Sequence, residues 1–351
     1  MEFKTAIIGC GLISQTKYLP IMTCLKNVEV VGICDLNKEL LWSVGKKYKI
    51  KNLYTDLEQL LKEQKPDIIV VATPTKTHCD IAVKSIEKGA HVLIEKPMAL
   101  TVEECDKIIE TAEKYNRKVG VMHNQIFNPA FLKAIESVKG LQIGKFVGIR
   151  ILLATSIDDF PSDKNHWTHK LPAGVIDETG PHGIYLALAF LKNVTSLNVR
   201  FKKLLDEYPW LIGEDFEVQL EGENGLGSIR FLYGSKTTDT WIEIFGTNGF
   251  IKVDLQSRKF LKFSRPNLDA KTILFSELRV IFQSTFNLIK NSLGYLFSLK
   301  INPHYNGIIK FIDWISGKSD YPSDAKQGRE VVRLMEKINK EILKIKDKKN
   351  C

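Results

Sequence analysis

The fold of this chain is decided by residues 3–14, which read FKTAIIGCGLIS. Phe3–Ile8 has the apolar character of a buried strand, and a Gly-Cys-Gly turn follows directly at Gly9 and Gly11. In such a unit the first glycine permits a tight turn, and the second lets the backbone approach a pyrophosphate at a helix N-terminus. Ser14 holds the third position of the pattern, where a small residue still allows close packing. The stretch predicts a dinucleotide-binding turn, with an ordinary glycine turn as the alternative.

Short apolar runs alternate with helical patterns up to residue 122. The predicted strands are 28–34, 67–72, 91–94 and 118–122. The first predicted helix ends near residue 25, and the others cover 40–48, 57–61, 81–87 and 102–115. Continuous apolar runs such as residues 67–72 suit strands that are covered on both faces. This alternation predicts an α/β domain over 1–122, a Rossmann-type doubly wound parallel sheet.

The pattern changes after residue 123. Predicted strands cover 145–156, 196–202, 216–221, 226–233 and 240–245, with helices at about 128–138 and 181–192. Asn-Gly pairs at 224–225 and 248–249 are typical of tight hairpins. The sequence therefore predicts a second domain over 123–351, of α+β class with a largely antiparallel open sheet.

Composition narrows the class of protein further. The 351 residues carry 50 Lys plus Arg against 41 Asp plus Glu, a net charge of +9 that is not concentrated in one stripe, so no nucleic-acid partner is expected. Six scattered cysteines without a CxxC pair indicate a reducing compartment rather than a zinc site. No apolar run reaches about 18 residues, so no spanning helix is expected. With a strand starting at Phe3 we expect no signal peptide and a cytoplasmic protein.

An acid and one loop extend the predicted cofactor site. Asp35 ends the second strand, where a carboxylate can bond both ribose hydroxyls of NAD and would repel a 2′-phosphate. NAD is favoured on this ground; NADP stays open because Lys38 is near, and a turn-capping role for Asp35 is the alternative. Thr73, Pro74 and His78 follow the strand 67–72, and His78 suits either a cofactor contact or a structural role at a helix start.

Lys96 lies between Glu95 and Pro97 at the end of the next strand. A lysine in such a position is costly unless it has a partner or a chemical role. Its ammonium group could polarise a substrate hydroxyl or carbonyl, or transfer a proton. Pairing with Glu95 is the structural alternative.

Together these motifs resemble the glucose–fructose oxidoreductase, inositol dehydrogenase and rhizopine catabolism (Gfo/Idh/MocA) family. The resemblance rests on Gly-x-Gly, Ala-Thr-Pro-x-x-x-His and Glu-Lys-Pro, and it continues through residues 123–129, where Ile126 stands in place of an arginine found in many members. The predicted cofactor contacts are Gly9, Gly11, Leu12, Ile13, Asp35, Thr73, Pro74, His78, Glu95, Lys96 and Asn124.

Residues 174–182 (GVIDETGPH) resemble the Gly-Gly-x-x-x-Asp-x-Gly-x-His motif of that family. His182 falls on its histidine and Glu178 on its acid, while Tyr185 stands where many members carry a second Asp. The resemblance implies that Lys96, Glu178 and His182 form the catalytic group. Oxidising a secondary alcohol by hydride transfer requires a proton acceptor beside the hydroxyl, which an imidazole can provide near neutral pH.

A second polar cluster precedes this motif. His166, Trp167 and His169 combine donors with a stacking face, which suits a polar ring-shaped ligand. The two histidines are three residues apart, but no third ligand with recognisable spacing follows, so no metal is expected. The predicted substrate contacts are Lys96, His123, His166, Trp167, His169, His182 and Tyr185.

Large apolar residues recur at helical spacing between 274 and 297. They are Leu274, Phe275, Leu278, Ile281, Phe282, Phe286, Ile289, Leu293, Leu296 and Phe297. One interpretation is a helix that packs on its own protein or on a twin subunit. The alternative is a surface that contacts a membrane or a lipid-linked substrate.

These patterns lead to one functional hypothesis and two alternatives. We expect an NAD(P)-dependent oxidoreductase that acts on a secondary alcohol or ketone of a sugar, with a nucleotide-sugar of surface polysaccharide metabolism favoured. The alternatives are a dehydrogenase of a free polyol or aldose, and a non-catalytic dinucleotide-binding sensor. The family resemblance implies a homodimer or homotetramer built on an apolar face of the second sheet.

Overall fold

The computed structural model describes residues 2–297 and 302–350. The chain divides into two units, of which the first comprises Met1–Asn124 and His304–Arg333 and the second comprises Gln125–Pro303 and Leu334–Cys351. Residues 304–333, which the sequence-based boundary assigned to the second domain, therefore lie in the first unit.

The first unit contains a six-stranded, all-parallel sheet. Its strands are β1 Phe3–Ile8, β2 Val28–Cys34, β3 Leu53–Tyr54, β4 Ile68–Val71, β5 His91–Glu95 and β6 Val119–Met122, in the order β3-β2-β1-β4-β5-β6. The helices are α1 Leu19–Met22, α2 Lys38–Tyr48, α3 Leu57–Gln64, α4 His78–Glu87 and α5 Val102–Lys114. All four residues of β4 are buried, as the continuous apolar run requires. The predicted doubly wound parallel sheet is confirmed.

The second unit contains a seven-stranded sheet. Its strands are β7 Phe146–Ala154, β8 Ser196–Lys202, β9 Asp215–Gly222, β10 Gly225–Leu232, β11 Asp239–Gly246, β12 Gly249–Asp254 and β13 Lys259–Phe263, in the order β13-β12-β11-β7-β10-β9-β8. The pairs are antiparallel except for β7 with β10. Both Asn-Gly hairpins form, since Gly222 pairs with Gly225 and Gly246 with Gly249. The short β3, as well as β12 and β13, had not been predicted from the sequence.

Five further α-helices are found in the described chain. They are α6 Pro129–Lys139, α7 Val175–Leu188, α8 Ala270–Phe297, α9 Pro303–Ile315 and α10 Ala325–Asn350. The prediction that one helix begins at 181 was wrong, because α7 begins at Val175 and contains Pro181. Gly174, at a φ of 68°, turns the chain into the helix, and Asp177 accepts the N–H of Ala173 at 2.8 Å. This start places Glu178 in the first turn of the helix.

Residues 304–333 cover the β6 edge of the first sheet. The Val121 N–H donates to the Ser323 carbonyl at 2.8 Å, and the Ser323 hydroxyl donates back to the Val121 carbonyl at 2.8 Å. Gly120 has no room for a side chain, because an added Cβ would lie 2.8 Å from ring atoms of Phe311 and Tyr321. A C-terminal segment thus completes the core of the N-terminal sheet.

The exposed face of the second sheet is mixed in character. Arg230 pairs with Asp215 at 2.7 Å, and Arg150 pairs with Glu243. Val147 and Leu226 are exposed apolar side chains on the same sheet. The expectation of an apolar face was therefore wrong for the part that carries the ion pairs, and oligomer formation stays a prediction.

Candidate active site

The glycine turn after β1 combines tight packing at one residue with open space at the next. Gly9 has a φ of 96°, and an added Cβ would lie 2.4 Å from the Ala72 carbonyl oxygen. The Ser14 hydroxyl donates to the Gly9 carbonyl at 2.6 Å and holds the turn. An added Cβ on Gly11 would meet no atom within 4 Å. The turn therefore has the form of a cradle for a ligand that approaches the backbone closely.

Asp35 joins the end of β2 to this turn. Its Oδ2 accepts the Cys10 N–H at 2.7 Å, and its Oδ1 accepts the Asn37 N–H at 2.8 Å. The side chain is half-buried, and each carboxylate oxygen keeps a further lone pair. Turn capping and ribose binding are therefore compatible roles for the same carboxylate.

His78 is a buried connector between two loops. It is 1% exposed, its Nε2 lies 2.8 Å from the Thr73 carbonyl oxygen, and its Nδ1 lies 3.0 Å from the Pro97 carbonyl oxygen. Burial lowers the pKa of the imidazole, although the carbonyls oppose that shift. The arrangement favours the structural interpretation, in which His78 positions Thr73 and the Lys96-Pro97 loop.

A buried acid lies beside Lys96. Glu95 accepts the Tyr18 hydroxyl at 2.7 Å and the Lys96 N–H at 3.2 Å. Its Oε1 also lies 3.9 Å from Nε2 of His304, whose pKa is lowered to about 4 by burial and by the charge of Lys17. Lys96 itself is half-buried at the carboxyl end of β5. Sequence reasoning missed Tyr18 and His304, because nothing in their local sequence marks them as neighbours of Glu95.

His123 lies near the end of the first-unit part of the predicted site. It is fully buried, and its Nδ1 lies 2.7 Å from the Ser323 hydroxyl. Burial, helped by the positive charge of Lys96, lowers the pKa of the ring to about 3, so the imidazole is neutral at physiological pH. Asn124 is half-buried in the next turn. Ile126 is fully buried, which explains why an apolar residue is tolerated where the family resemblance leads one to expect arginine.

Helix α7 carries the predicted acid and histidine of the second unit. Glu178 and His182 are both half-buried and lie one helical turn apart. Nδ1 of His182 lies 2.5 Å from the hydroxyl oxygen of Tyr185, which is fully buried. The Gln125 N–H donates to the same oxygen at 3.3 Å. Tyr185 thus orients the imidazole, and its reach to Gln125 could not be inferred from the sequence.

The loop before α7 groups three aromatic or imidazole side chains. His166 stacks on Phe160 with ring centroids 5.0 Å apart, and its Nδ1 lies 2.9 Å from the Thr168 hydroxyl. Trp167 is 52% exposed, so one face of the indole is open to solvent. Both ring nitrogens of His169 are buried, and neither has a hydrogen-bond partner within residues 2–297 and 302–350. Across all the described residues, no group of three or more His, Cys, Asp or Glu side chains could hold a metal ion.

Residues 3–123 match the family model described as "Oxidoreductase family, NAD-binding Rossmann fold", named GFO_IDH_MocA. Residues 3–123 therefore belong to the Gfo/Idh/MocA family. The match includes the glycine turn, Asp35, the loop at Thr73 and Lys96, and the protein is an NAD-dependent oxidoreductase.

Two curated relatives align with this chain over most of its length. "Oxidoreductase P35" of Formosa agariphila is 25% identical over 241 residues, covering 67% of this chain and 71% of that protein. "D-apiose dehydrogenase" of Paraburkholderia graminis is 23% identical over 264 residues, covering 73% and 69%.

Solved structures share the fold of this protein over nearly the whole chain. An oxidoreductase from Agrobacterium radiobacter, in complex with NAD+, L-tartaric acid and magnesium, gives a TM-score of 0.79 at 18% identity and covers 98% of this chain and 97% of that one. The WlbA dehydrogenase from Bordetella pertussis, in complex with NADH and UDP-GlcNAcA, gives a TM-score of 0.77 at 17% identity and covers 98% of this chain and 96% of that one. At these identities the likeness establishes the two-sheet fold.

Proposed function

We propose that this Gfo/Idh/MocA protein transfers hydride between NAD and a secondary alcohol or ketone of a nucleotide-linked sugar. The observation that carries the substrate class is the loop at 166–169, in which an open indole face accompanies two imidazoles. Among the described residues the two ring nitrogens of His169 have no hydrogen-bond partner, and an unsatisfied buried polar group costs about 1–3 kcal/mol. A loop movement that brings His169 to ligand hydroxyl or phosphate oxygens would recover that energy.

Similar proteins support a sugar substrate, and one of them supports the nucleotide-linked class. One curated relative is a D-apiose dehydrogenase, which acts on a sugar, and one solved neighbour holds the nucleotide-sugar UDP-GlcNAcA together with NADH. The net charge of +9 favours an anionic ligand such as a sugar diphosphate or a uronate.

The first unit is proposed to hold the cofactor and to stabilise charge. Bound NAD supplies the hydride acceptor. The open space at Gly11 lets backbone N–H groups approach its pyrophosphate, and the half-buried Asp35 accepts ribose hydroxyls. Lys96 places a positive charge where negative charge develops on the substrate oxygen. His78 and His123, both buried, position the loop and strand end around that lysine.

The second unit is proposed to move the proton. Because Tyr185 holds Nδ1 of His182, proton exchange with the substrate hydroxyl is assigned to Nε2. Glu178, one turn earlier on α7, is proposed to orient a basic group of the site by its negative charge.

Absorbance of reduced nicotinamide in the near ultraviolet tests the proposal. The purified protein is mixed with NAD and, in separate wells, with pooled nucleotide-sugars or with pooled free sugars and polyols. We expect absorbance to rise with the nucleotide-sugar pool. A rise in absorbance with free sugars alone would contradict the nucleotide-linked class. No rise with either pool, although NAD binds, would favour a non-catalytic sensor.

Replacing Tyr185 by phenylalanine tests the orientation of His182. Loss of the hydroxyl removes the hydrogen bond that holds Nδ1 of His182, so kcat is expected to fall about 10- to 100-fold with little change in the KM for NAD. The acidic limb of the pH profile of kcat/KM should also move. Steady-state kinetics across pH give both readouts.

Tyr233→Phe is the matched control. Tyr233 is also buried, and its hydroxyl contacts Thr179 on the same helix. The Tyr233→Phe variant should lower the thermal midpoint of unfolding about as much as Tyr185→Phe does, and it should leave the pH profile of kcat/KM unchanged. If both variants change only stability, Tyr185 is a packing residue and the assignment fails.

A further inference from the structure

Helix α8 is attached to the edge strand β13 by a ladder of amide side chains. Gln283 accepts the Lys262 N–H at 2.9 Å and donates to its carbonyl at 3.1 Å. Asn287 donates to the Phe260 carbonyl at 3.1 Å, and Asn291 donates to the Ser257 carbonyl at 2.8 Å. Since these amides are spaced four residues apart, they form one stripe, and the polar stripe of α8 faces its own protein.

The opposite side of α8 is apolar and open to solvent. Eight large apolar side chains are each more than half exposed: Leu274, Phe275, Leu278, Ile281, Phe282, Phe286, Leu288 and Ile289. No side chain of the helix between 270 and 292 is buried; the predicted members at 293, 296 and 297 have side chains outside the described residues. A helix that stabilises its own domain buries its apolar face. Helix α8 has the opposite orientation, with its polar stripe on the protein and its apolar side in solvent.

Positive charge flanks the apolar side. Lys290 lies one turn after Phe286, and Arg279 lies one turn after Phe275. The pKa of Lys133 on α6 is lowered by burial and by the charges of Lys290 and Lys262, so both of these ammonium groups lie within electrostatic reach of Lys133. The acid of the helix, Glu277, is paired with Arg265.

We propose that α8 is a docking surface for an anionic lipid bilayer. The helix lies in the interface plane, with its exposed phenylalanine and aliphatic side chains inserted among acyl chains and its lysines at the headgroups. Within the described residues no helix is both long enough and apolar enough to cross a membrane. Anionic headgroups complement the positive charge of Lys290, Lys262 and Lys133 beside the apolar side of α8.

Sedimentation of the full chain with vesicles tests this inference. The vesicles are made of phosphatidylcholine, with or without phosphatidylglycerol. We expect binding to the phosphatidylglycerol vesicles, reduced at least about tenfold by Phe275→Ser combined with Phe282→Ser. Lys262→Gln combined with Lys290→Gln should weaken binding to the anionic vesicles and leave the weak binding to phosphatidylcholine unchanged.

Trp42→Ser is the matched control, because Trp42 is as exposed as Phe282, at 72%, but lies on α2. It should leave vesicle binding unchanged, and all variants should keep the NAD affinity and thermal midpoint of the parent, since none of the replaced side chains is buried. Absence of sedimentation with either vesicle would overturn the proposal. So would self-association in the ultracentrifuge that the phenylalanine variant abolishes without any vesicle binding, because the occupant would then be a second copy.

Discussion

Replacing Lys96 with methionine is expected to lower kcat/KM by about 10³-fold or more. Methionine is close to lysine in length but carries no charge, so the positive charge at the carboxyl end of β5 is lost while the chain volume is nearly retained. The affinity for NAD should change by less than about threefold, because the glycine turn and Asp35 are proposed to carry that binding. Steady-state kinetics with the substrate pool and titration with NAD measure the two effects.

Lys76→Met is the matched control for this experiment. Lys76 is an exposed lysine in the turn after β4, the neighbouring strand of the same sheet. The control should retain the parent kcat/KM. If Lys96→Met keeps more than about a tenth of the activity, the electrostatic role assigned to Lys96 is wrong.

Replacing Gly9 with alanine is expected to destabilise the first unit by about 3 kcal/mol or more and to abolish NAD binding. The reason is geometric, because the new Cβ would lie 2.4 Å from a backbone oxygen of Ala72 and the φ of 96° disfavours any side chain. Neither backbone can yield without moving β1 away from the loop after β4. Urea denaturation followed by circular dichroism measures the stability loss.

Gly11→Ala separates cofactor binding from folding in the same turn. Its Cβ would enter space that is empty to 4 Å, so stability should stay within about 1 kcal/mol of the parent. NAD affinity should fall about tenfold or more, since the methyl group would occupy the space proposed for the pyrophosphate. Normal NAD binding by this variant would show that the cofactor does not lie against Gly11.

Much of the first unit could be predicted because its signals are local. Strands such as Ile68–Val71 are continuous apolar runs, and the glycine turn sits between a strand and a helix within a dozen residues. In the second unit the Asn-Gly pairs located two hairpins for the same reason. The start of α7 was predicted too late, because Pro181 resembles a helix start whereas Gly174 and Asp177 begin the helix earlier.

The sequence by itself determined the α/β class of the first unit, the positions of the nucleotide-binding turn, and the identities of Lys96, Glu178 and His182 as candidates. These depend on periodicity and on motifs, which are properties of neighbouring residues. Tertiary structure alone decided that Ser323 completes the β6 edge, that Tyr18 bonds Glu95 and that the amides of α8 face β13 while its phenylalanines face solvent. Such pairings join residues far apart in the chain, and only packing and hydrogen-bond satisfaction select them.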